Sequence, residues 1–253
     1  IRHSVRLVRI GYALARHDAL FPFYEAPTPP AARALARGLA RLLRRRGLPD
    51  RRGQRLATAL TSLGPCFIKL GQTLSTRTDL FGADVADDLA QLQDRLAPFP
   101  SDIAFQTIER ELGKPLTALY ERIEPAPVAA ASIAQVHLAV TGDGQEVAVK
   151  VLRPGIEAAF ERDIALMRWL ATWAVRIAPK GRRLRPIEVV EAFADTVRAE
   201  MDLRLEAAAA SELGENFRDE AMFATPSIDW ARTGRRVLTL ERVAGARVDD
   251  VDR

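Results

Sequence analysis

Two β-branched runs around a short turn are the feature that most restricts the fold of this chain. Residues 133–140 and 146–152 flank a turn that contains Gly142, Asp143 and Gly144. This pattern predicts a β-hairpin. The segments around the hairpin predict other elements: a helix at 156–177, a continuous helix at 186–217, and short strands at 225–228 and 236–241. A small antiparallel sheet with long helices, an α+β fold, is therefore expected.

The first hundred residues have a different character. Proline clusters at 27–30 and 98–100 mark boundaries. Helical spacing fills the region between them, with Pro65 suited to a first helical turn. We therefore predict an all-helical extension at 1–97 and a second domain at 98–253.

Composition excludes several classes of protein. An apolar content of 48% is typical of a folded globular chain, and no run reaches the roughly 18 apolar residues of a membrane-spanning helix. The single cysteine, Cys66, excludes an intramolecular disulfide framework and a thiolate zinc cluster, which favours a reducing, cytoplasmic setting. The ends at Ile1 and Arg253 lack starting and terminating elements, so we interpret the chain as a fragment.

Positive charge is concentrated near the start of the chain. Residues 1–60 contain 13 arginines and three acidic residues, although the net charge of the whole chain is only +4. The arginines could contact anionic phospholipid or form a solvated face. Nucleic acid is a poor candidate, because no base-stacking aromatic residues alternate with the arginines.

Lys150 is the first candidate for chemistry. It ends the sequence Val-Ala-Val-Lys, and strand alternation places Ala148 on the same face. A small residue beside a lysine suits a nucleotide, since Ala148 leaves room for adenine while the ammonium reaches the phosphates. The alternative is a lysine at the edge of a two-stranded ribbon.

Such a lysine needs a carboxylate partner, and the predicted helix 186–217 offers three acidic residues. On a continuous helix Asp202 and Glu206 share a face, whereas Glu200 points away from both. We therefore predict that Glu206 pairs with Lys150. The alternative is local pairing of these acids with Arg198 and Arg204.

An alanine-rich segment precedes the hairpin, where an ordinary kinase has its glycine-rich phosphate loop. It contains no glycine, so the backbone is more restricted and phosphate handling should differ. The predicted nucleotide-contacting residues of this segment are Val128, Ala129, Ala130, Ala131, Ser132, Ile133, Ala134, Gln135 and Val136.

The most specific motif lies in the helical extension. Lys69, Gly71 and Gln72 form a Lys-x-Gly-Gln sequence, in which Lys69, Gln72 and Thr73 share one helix face. Phe67, on the opposite face, is available for packing. A solvated polar face is the alternative to a functional one.

Taken in order, these motifs resemble the UbiB family of atypical protein kinase-like proteins, especially the bacterial ubiquinone-biosynthesis members. The resemblance covers nearly the whole chain. It includes the Lys-x-Gly-Gln motif, the alanine-rich loop, Lys150 with the following Arg-Pro-Gly, the Glu-x-Asp motif at Glu200 and Asp202, and Glu206.

The resemblance implies a kinase-like N-lobe covered by the helical extension, with ATP or ADP and Mg²⁺ as cofactors. In the family the Lys-x-Gly-Gln helix folds over the nucleotide site, so Lys69 would reach Glu200. Glu241 and Val243 would lie at the hinge that holds adenine. The catalytic loop, the metal ligands and the membrane helices would follow Arg253, so this fragment alone is expected to be inactive, and no metal ligand is predicted within it.

The resemblance also implies partners and a location. ATP hydrolysis in support of ubiquinone synthesis, at the cytoplasmic face of the bacterial inner membrane, is the first hypothesis. Ubiquinone-biosynthesis proteins or isoprenoid lipid intermediates would be partners, and a homodimer stays open. The second hypothesis is a nucleotide-gated scaffold or lipid-binding pseudokinase. The third, an ordinary protein kinase, conflicts with the glycine-free loop.

Overall fold

The structure is a computed structural model that describes residues 2–22, 30–92, 96–177, 183, 185–220 and 222–245. The chain divides into two compact units. The first contains residues 1–94 and 157–197, and the second contains 95–156 and 198–253. The predicted division after residue 97 stays a prediction.

Among the residues that the structure describes, helices fill most of the first unit, and strands occur only in the second. In chain order the α-helices whose bounds lie within the described residues are α1 (Arg2–Arg16), α2 (Pro30–Leu43), α3 (Arg52–Leu63), α4 (Pro65–Ser75), α5 (Thr78–Phe81), α6 (Ala83–Ala90), α7 (Ser101–Leu112), α8 (Leu116–Leu119), α9 (Ile156–Ile177), α10 (Pro186–Glu200) and α11 (Leu203–Asn216). Among the described residues the strands are β1 (Arg122–Ile123), β2 (Ala129–Ala130), β3 (Ala134–Val140), β4 (Glu146–Leu152) and β5 (Val237–Glu241).

Close helix packing characterises the first unit, in which α3, α4 and α6 contact one another. Two glycines permit the close approach. A Cβ atom on Gly53 would lie 2.6 Å from Cβ of Asp88, and one on Gly71 would lie 2.9 Å from Leu60. Gly71 of the Lys-x-Gly-Gln motif therefore lies in close contact with leucine side chains, and a larger residue there would force those side chains to shift.

The second unit is built on a five-stranded antiparallel sheet. The strand order is β1-β3-β4-β5, and β2 also pairs with β3. One face of the sheet packs against α7. Its buried core consists of Phe99, Ala104, Ile108, Leu119, Tyr120, Ala139, Val147, Val149, Val151 and Val237. Because strand residues alternate between faces, Ala148 and Lys150 lie on the face opposite this core.

The predicted α+β fold is confirmed, with a small antiparallel sheet and long helices. The hairpin pairs β3 with β4 as expected. The predicted strand at 225–228 is wrong, because within it only Ile228 bridges to the sheet, opposite Leu240. Strands β1 and β2 were not predicted, because each has only two residues, which is too short for an alternating pattern to show in the sequence.

The predicted continuous helix at 186–217 is also wrong. Helix α10 ends at Glu200, and α11 begins at Leu203. Asp202 interrupts the helix because its backbone is extended (φ −117°, ψ 93°) and its side chain accepts a hydrogen bond from the Arg204 backbone N–H. This is an N-cap, for which aspartate is a preferred residue. Glu200 and Glu206 therefore lie on different helices, and the directions of their side chains cannot be compared by counting about 100° per residue along one helix.

Candidate functional site

An ion pair joins strand β4 to helix α11. Nζ of Lys150 lies 2.8 Å from Oε1 and 2.7 Å from Oε2 of Glu206. The Lys150 side chain is 25% exposed and that of Glu206 is 48% exposed. An ion pair this open to solvent contributes only about 0–1 kcal/mol to the free energy of folding. Its consequence is therefore geometric, since it fixes the position of the Lys150 ammonium group beside helix α11.

Glu206 is placed by the first turns of α11. Leu203 and Ala207 are buried, and the Leu203 backbone N–H donates to the carbonyl of Arg235, just before β5. Asp202 caps the same end of the helix. The start of α11 is thus fixed to the sheet on which Lys150 lies, as the predicted pairing of Glu206 with Lys150 requires.

Asp202 has a different role from that of Glu206. Its carboxylate accepts hydrogen bonds from Nε and Nη2 of Arg204 at 2.8 and 2.6 Å. These hydrogen bonds hold the pKa of Asp202 below its usual value. The alternative of local pairing between Asp202 and Arg204 is therefore present in the structure. Asp202 caps helix α11, and its carboxylate contacts Arg204 and not Lys150.

We expect Asp202→Ala to lower the free energy of unfolding by about 1 kcal/mol at pH 7, because the helix loses its N-cap. A carboxyl group whose folded pKa is lowered stabilises the fold above its unfolded pKa, about 3.9, and this contribution is lost as the pH falls through the folded value. The difference between wild type and variant should thus shrink below about pH 4. Urea unfolding at several pH values checks this, with Asp202→Asn as a control that keeps a capping side chain. A difference that is the same at pH 7 and pH 3 would contradict the assignment.

Apolar side chains surround Ala148 on the Lys150 face of the sheet. Leu138 and Leu240 are the direct cross-strand partners of Ala148, and Val136 and Leu238 are those of Lys150. Directly opposed residues share a face, so these four side chains flank the lysine. Such a surface suits a planar apolar ring. Sequence reasoning missed Leu138, Leu238 and Leu240, although counting back from the hairpin turn would have found Leu138.

The alanine-rich segment forms a tight turn. Ala129 and Ala130 of β2 pair with Val136 and Gln135 of β3. The Ala131 N–H donates to the carbonyl of Ala134 at 2.7 Å. Ser132 is buried. The turn thus closes onto the strand that neighbours Lys150, and contact of its residues with a nucleotide stays a prediction.

The predicted hinge follows β5. The Glu241 carboxylate accepts hydrogen bonds from the backbone N–H and the hydroxyl of Ser227 at 3.2 and 3.0 Å. Val243 is 67% exposed. The carboxylate of Glu241 therefore supports the local chain, and contact of the hinge backbone with adenine stays a prediction.

The Lys-x-Gly-Gln motif lies on α4 in the first unit. The Gln72 amide donates to the carbonyl of Leu92 at 3.2 Å, and the Thr73 hydroxyl donates to the carbonyl of Lys69 at 3.0 Å. Gln72 thus ties α4 to the chain after α6. Lys69 belongs to the first unit and Glu200 to the second. Their pairing, and a catalytic role for Lys69, Gln72, Glu200 or Asp202, stay predictions.

Two further chemistries find little support within this chain. Burial raises the pKa of the Cys66 thiol to about 12, so this cysteine is not a reactive nucleophile at neutral pH. In the part of the chain that the structure describes, no group of three histidine, cysteine or acidic side chains could hold a metal ion.

Comparison with known proteins decides the family. Residues 91–253 match the ABC1 atypical kinase-like domain. This chain belongs to the ABC1 atypical kinase-like family. A protein named "Probable protein kinase UbiB" from Marinobacter nauticus is 44% identical over 248 residues, covering 97% of this chain and 45% of that protein. A Pseudomonas aeruginosa protein of the same name is 43% identical over 249 residues, covering 98% of this chain and 47% of that protein.

A solved structure supports the same fold. It is described as the complex of Rv3197 with erythromycin from Mycobacterium tuberculosis, is 27% identical, and has a TM-score of 0.52 over 76% of this chain and 48% of that one. The resemblance to the UbiB family is thus confirmed. The chain spans about half the length of the UbiB relatives it matches.

Proposed function

We propose that this chain is the nucleotide-binding part of a UbiB-type atypical kinase or ATPase that supports ubiquinone biosynthesis, including its aromatic-ring hydroxylation steps. The observation that carries the proposal is the bidentate contact of Glu206 with Lys150. In kinase-like sites a lysine held in this way binds nucleotide phosphates. Membership of the ABC1 family and the name of the UbiB relatives support the same function.

Each group at the site would have a defined task. The Lys150 ammonium binds phosphate oxygens, and Glu206 keeps the side chain extended toward them. The small Ala148 side chain and its neighbour Leu138 form the floor for adenine. When bound, Mg²⁺ neutralises phosphate charge. The metal ligands and the catalytic loop are predicted to lie outside this chain, so turnover requires the complete protein.

Complementation of cells that lack the native protein tests whether nucleotide binding matters for ubiquinone synthesis. The complete protein with Lys150→Ala should fail to restore ubiquinone, because it cannot hold the nucleotide. Lys114→Ala is the control, since Lys114 is exposed in a turn of the same unit. Restoration of ubiquinone by the Lys150 variant at normal protein levels would instead favour a scaffold or lipid-binding pseudokinase.

The exposed surface of the first two helices favours contact with lipid as an additional role. Large apolar side chains are open to solvent on α1, where Val5 and Val8 are 61% and 70% exposed, and on α2, where Leu35 and Leu42 are 65% and 80% exposed. Arginines accompany them within the arginine-rich first 60 residues. Apolar side chains beside cations suit an anionic phospholipid surface. In the ranges that the structure describes, no helix is long and apolar enough to span a bilayer.

We expect this chain to float with vesicles of phosphatidylglycerol and phosphatidylcholine, and not with phosphatidylcholine alone. Val8→Glu combined with Leu42→Glu should abolish flotation, since both changes place a carboxylate at the apolar surface. Leu213→Glu is the matched control, because Leu213 is an exposed leucine on α11. Equal flotation of wild type and the double variant would exclude this surface as the membrane contact.

A further inference from the structure

Arg153 ties the alanine-rich turn to the chain that precedes α7. Its Nε and Nη2 atoms donate to the carbonyl of Ala131 at 3.1 and 2.9 Å, and Nη2 also donates to the carbonyl of Ala97 at 2.9 Å. The guanidinium lies over the ring of Phe99, 5.5 Å from its centroid. The Arg153 backbone N–H donates to the carbonyl of Ile133 at 2.8 Å. A single residue thus holds both ends of the turn 131–133.

A buried network also joins strand β3, which follows the turn, to the chain that precedes α7. Oε1 of Gln135 accepts a hydrogen bond from the Phe99 backbone N–H at 3.0 Å, and Nε2 of Gln135 lies 2.9 Å from Nε2 of His137. The other ring nitrogen of His137 contacts the carbonyl of Glu124 at 2.9 Å. Gln135 and His137 are fully buried. Hydrogen bonds of this kind restrict the conformation of both segments.

The hydrogen bonds to Ala131 also determine the direction of an N–H group. The Ala131 carbonyl and the Ser132 N–H belong to the same planar peptide unit, and none of the described peptide bonds is cis. In a trans peptide these two groups point in opposite directions. By holding the carbonyl, Arg153 therefore directs the Ser132 N–H away from itself.

Two N–H groups of this turn lack acceptors. Among the described residues, neither the Ser132 N–H nor the Ile133 N–H donates a hydrogen bond, although the two residues are only 1% and 8% exposed. Unpaired N–H groups at buried positions are rare. Successive backbone N–H groups in a turn can bind an anion. A phosphate oxygen is an acceptor that would satisfy them.

We propose that Arg153 is a positioning residue that holds the alanine-rich turn so that the Ser132 and Ile133 N–H groups bind nucleotide phosphate. The proposal rests on the proposed nucleotide-binding function and adds to it. A glycine-rich loop can adopt many backbone conformations around a ligand, whereas the hydrogen bonds of Arg153 restrict this turn to few of them before the nucleotide arrives. Arg153 therefore sets affinity without touching the nucleotide.

The experiment measures Mg-ATP and Mg-ADP dissociation constants for the complete protein and its variants. Arg153→Ala should weaken binding by roughly 5-fold to 30-fold, the range expected when one more residue must be ordered on binding. Arg153→Lys should keep part of the affinity, because an ammonium can reach a carbonyl but lacks the planar fork of a guanidinium. Amide hydrogen exchange at residues 130–134 should become faster in the alanine variant before nucleotide is added.

Arg232 is the matched control in the same unit. It also donates to a backbone carbonyl, that of Leu119 at 2.6 Å, and lies over an aromatic ring, that of Tyr120 at 5.9 Å. Arg232→Ala should lower stability without changing nucleotide affinity. If Arg153→Ala bound nucleotide as tightly as wild type, or if Arg232→Ala lost as much nucleotide affinity as Arg153→Ala, the positioning role of Arg153 would be overturned. The proposed function would stand in either case, because wild type would still bind nucleotide. Absence of binding by wild type would overturn both.

Discussion

Replacing Lys150 with alanine in the complete protein is expected to weaken Mg-nucleotide binding about 100-fold. The ammonium would make charged hydrogen bonds to phosphate, each of which contributes about 1.5–3 kcal/mol, and a tenfold change in affinity corresponds to about 1.4 kcal/mol. Glu206→Ala should have a smaller effect, about tenfold, because Lys150 remains but is no longer held extended. Titration calorimetry measures both changes.

Arg168 and Glu191 provide the control for these two variants. They form another bidentate ion pair, at 2.7 and 2.6 Å, in the first unit. Arg168→Ala and Glu191→Ala should leave nucleotide affinity unchanged, since this pair has no predicted nucleotide contact. If Lys150→Ala bound Mg-nucleotide as tightly as wild type, the phosphate-binding assignment of Lys150 would be wrong.

Gln135→Leu is expected to produce the largest loss of stability among the changes considered. Leucine has a similar volume but removes the acceptor for the Phe99 N–H and the partner of His137 Nε2. Each buried polar group left without a partner costs about 1–3 kcal/mol, so the free energy of unfolding should fall by about 3 kcal/mol. Chemical denaturation of wild type and variant measures the difference.

Gln145→Leu is the corresponding control, because Gln145 lies at the turn of the same hairpin with an exposed side chain. Its effect should stay within about 0.5 kcal/mol, as for most surface changes. A loss below about 0.5 kcal/mol in Gln135→Leu would show that the buried network adds little to stability.

The hairpin was the most predictable part of the fold. Its two strands alternate over seven residues each, and the turn between them fixes the register. Alternation also placed Lys150 on the same face as Ala148. Cross-strand partners such as Leu240 could not be predicted, because they depend on which distant strand pairs with β4.

Glu206 illustrates a correct prediction reached through a wrong premise. The sequence predicted its pairing with Lys150 from a continuous helix, whereas the structure breaks that helix at Met201 and Asp202. Asp202 could have suggested the break, since aspartate favours N-cap positions. The break was missed because the residues before and after Asp202 both have helical spacing, as a single continuous helix would.

Arg153 and Gln135 are harder to recognise from sequence. The sequence indicates Gln135 only as a member of the alanine-rich segment, and Arg153 only as part of an Arg-Pro-Gly sequence. Their hydrogen bonds reach residues 22 to 56 positions away. One signal is present for Gln135: it and His137 are polar residues at strand positions that face the apolar core.

Covalent labelling with an acyl-phosphate derivative of ATP tests the central claim most directly, because this reagent acylates a lysine that lies beside the bound phosphates. In the complete protein, mass spectrometry should find the label on Lys150, and excess Mg-ATP should suppress it. Lys114, an exposed lysine with no predicted nucleotide contact, should be labelled equally with and without Mg-ATP. If Lys150 carried no label, or if excess Mg-ATP did not suppress its label, the proposal that this lysine binds nucleotide phosphate would be contradicted.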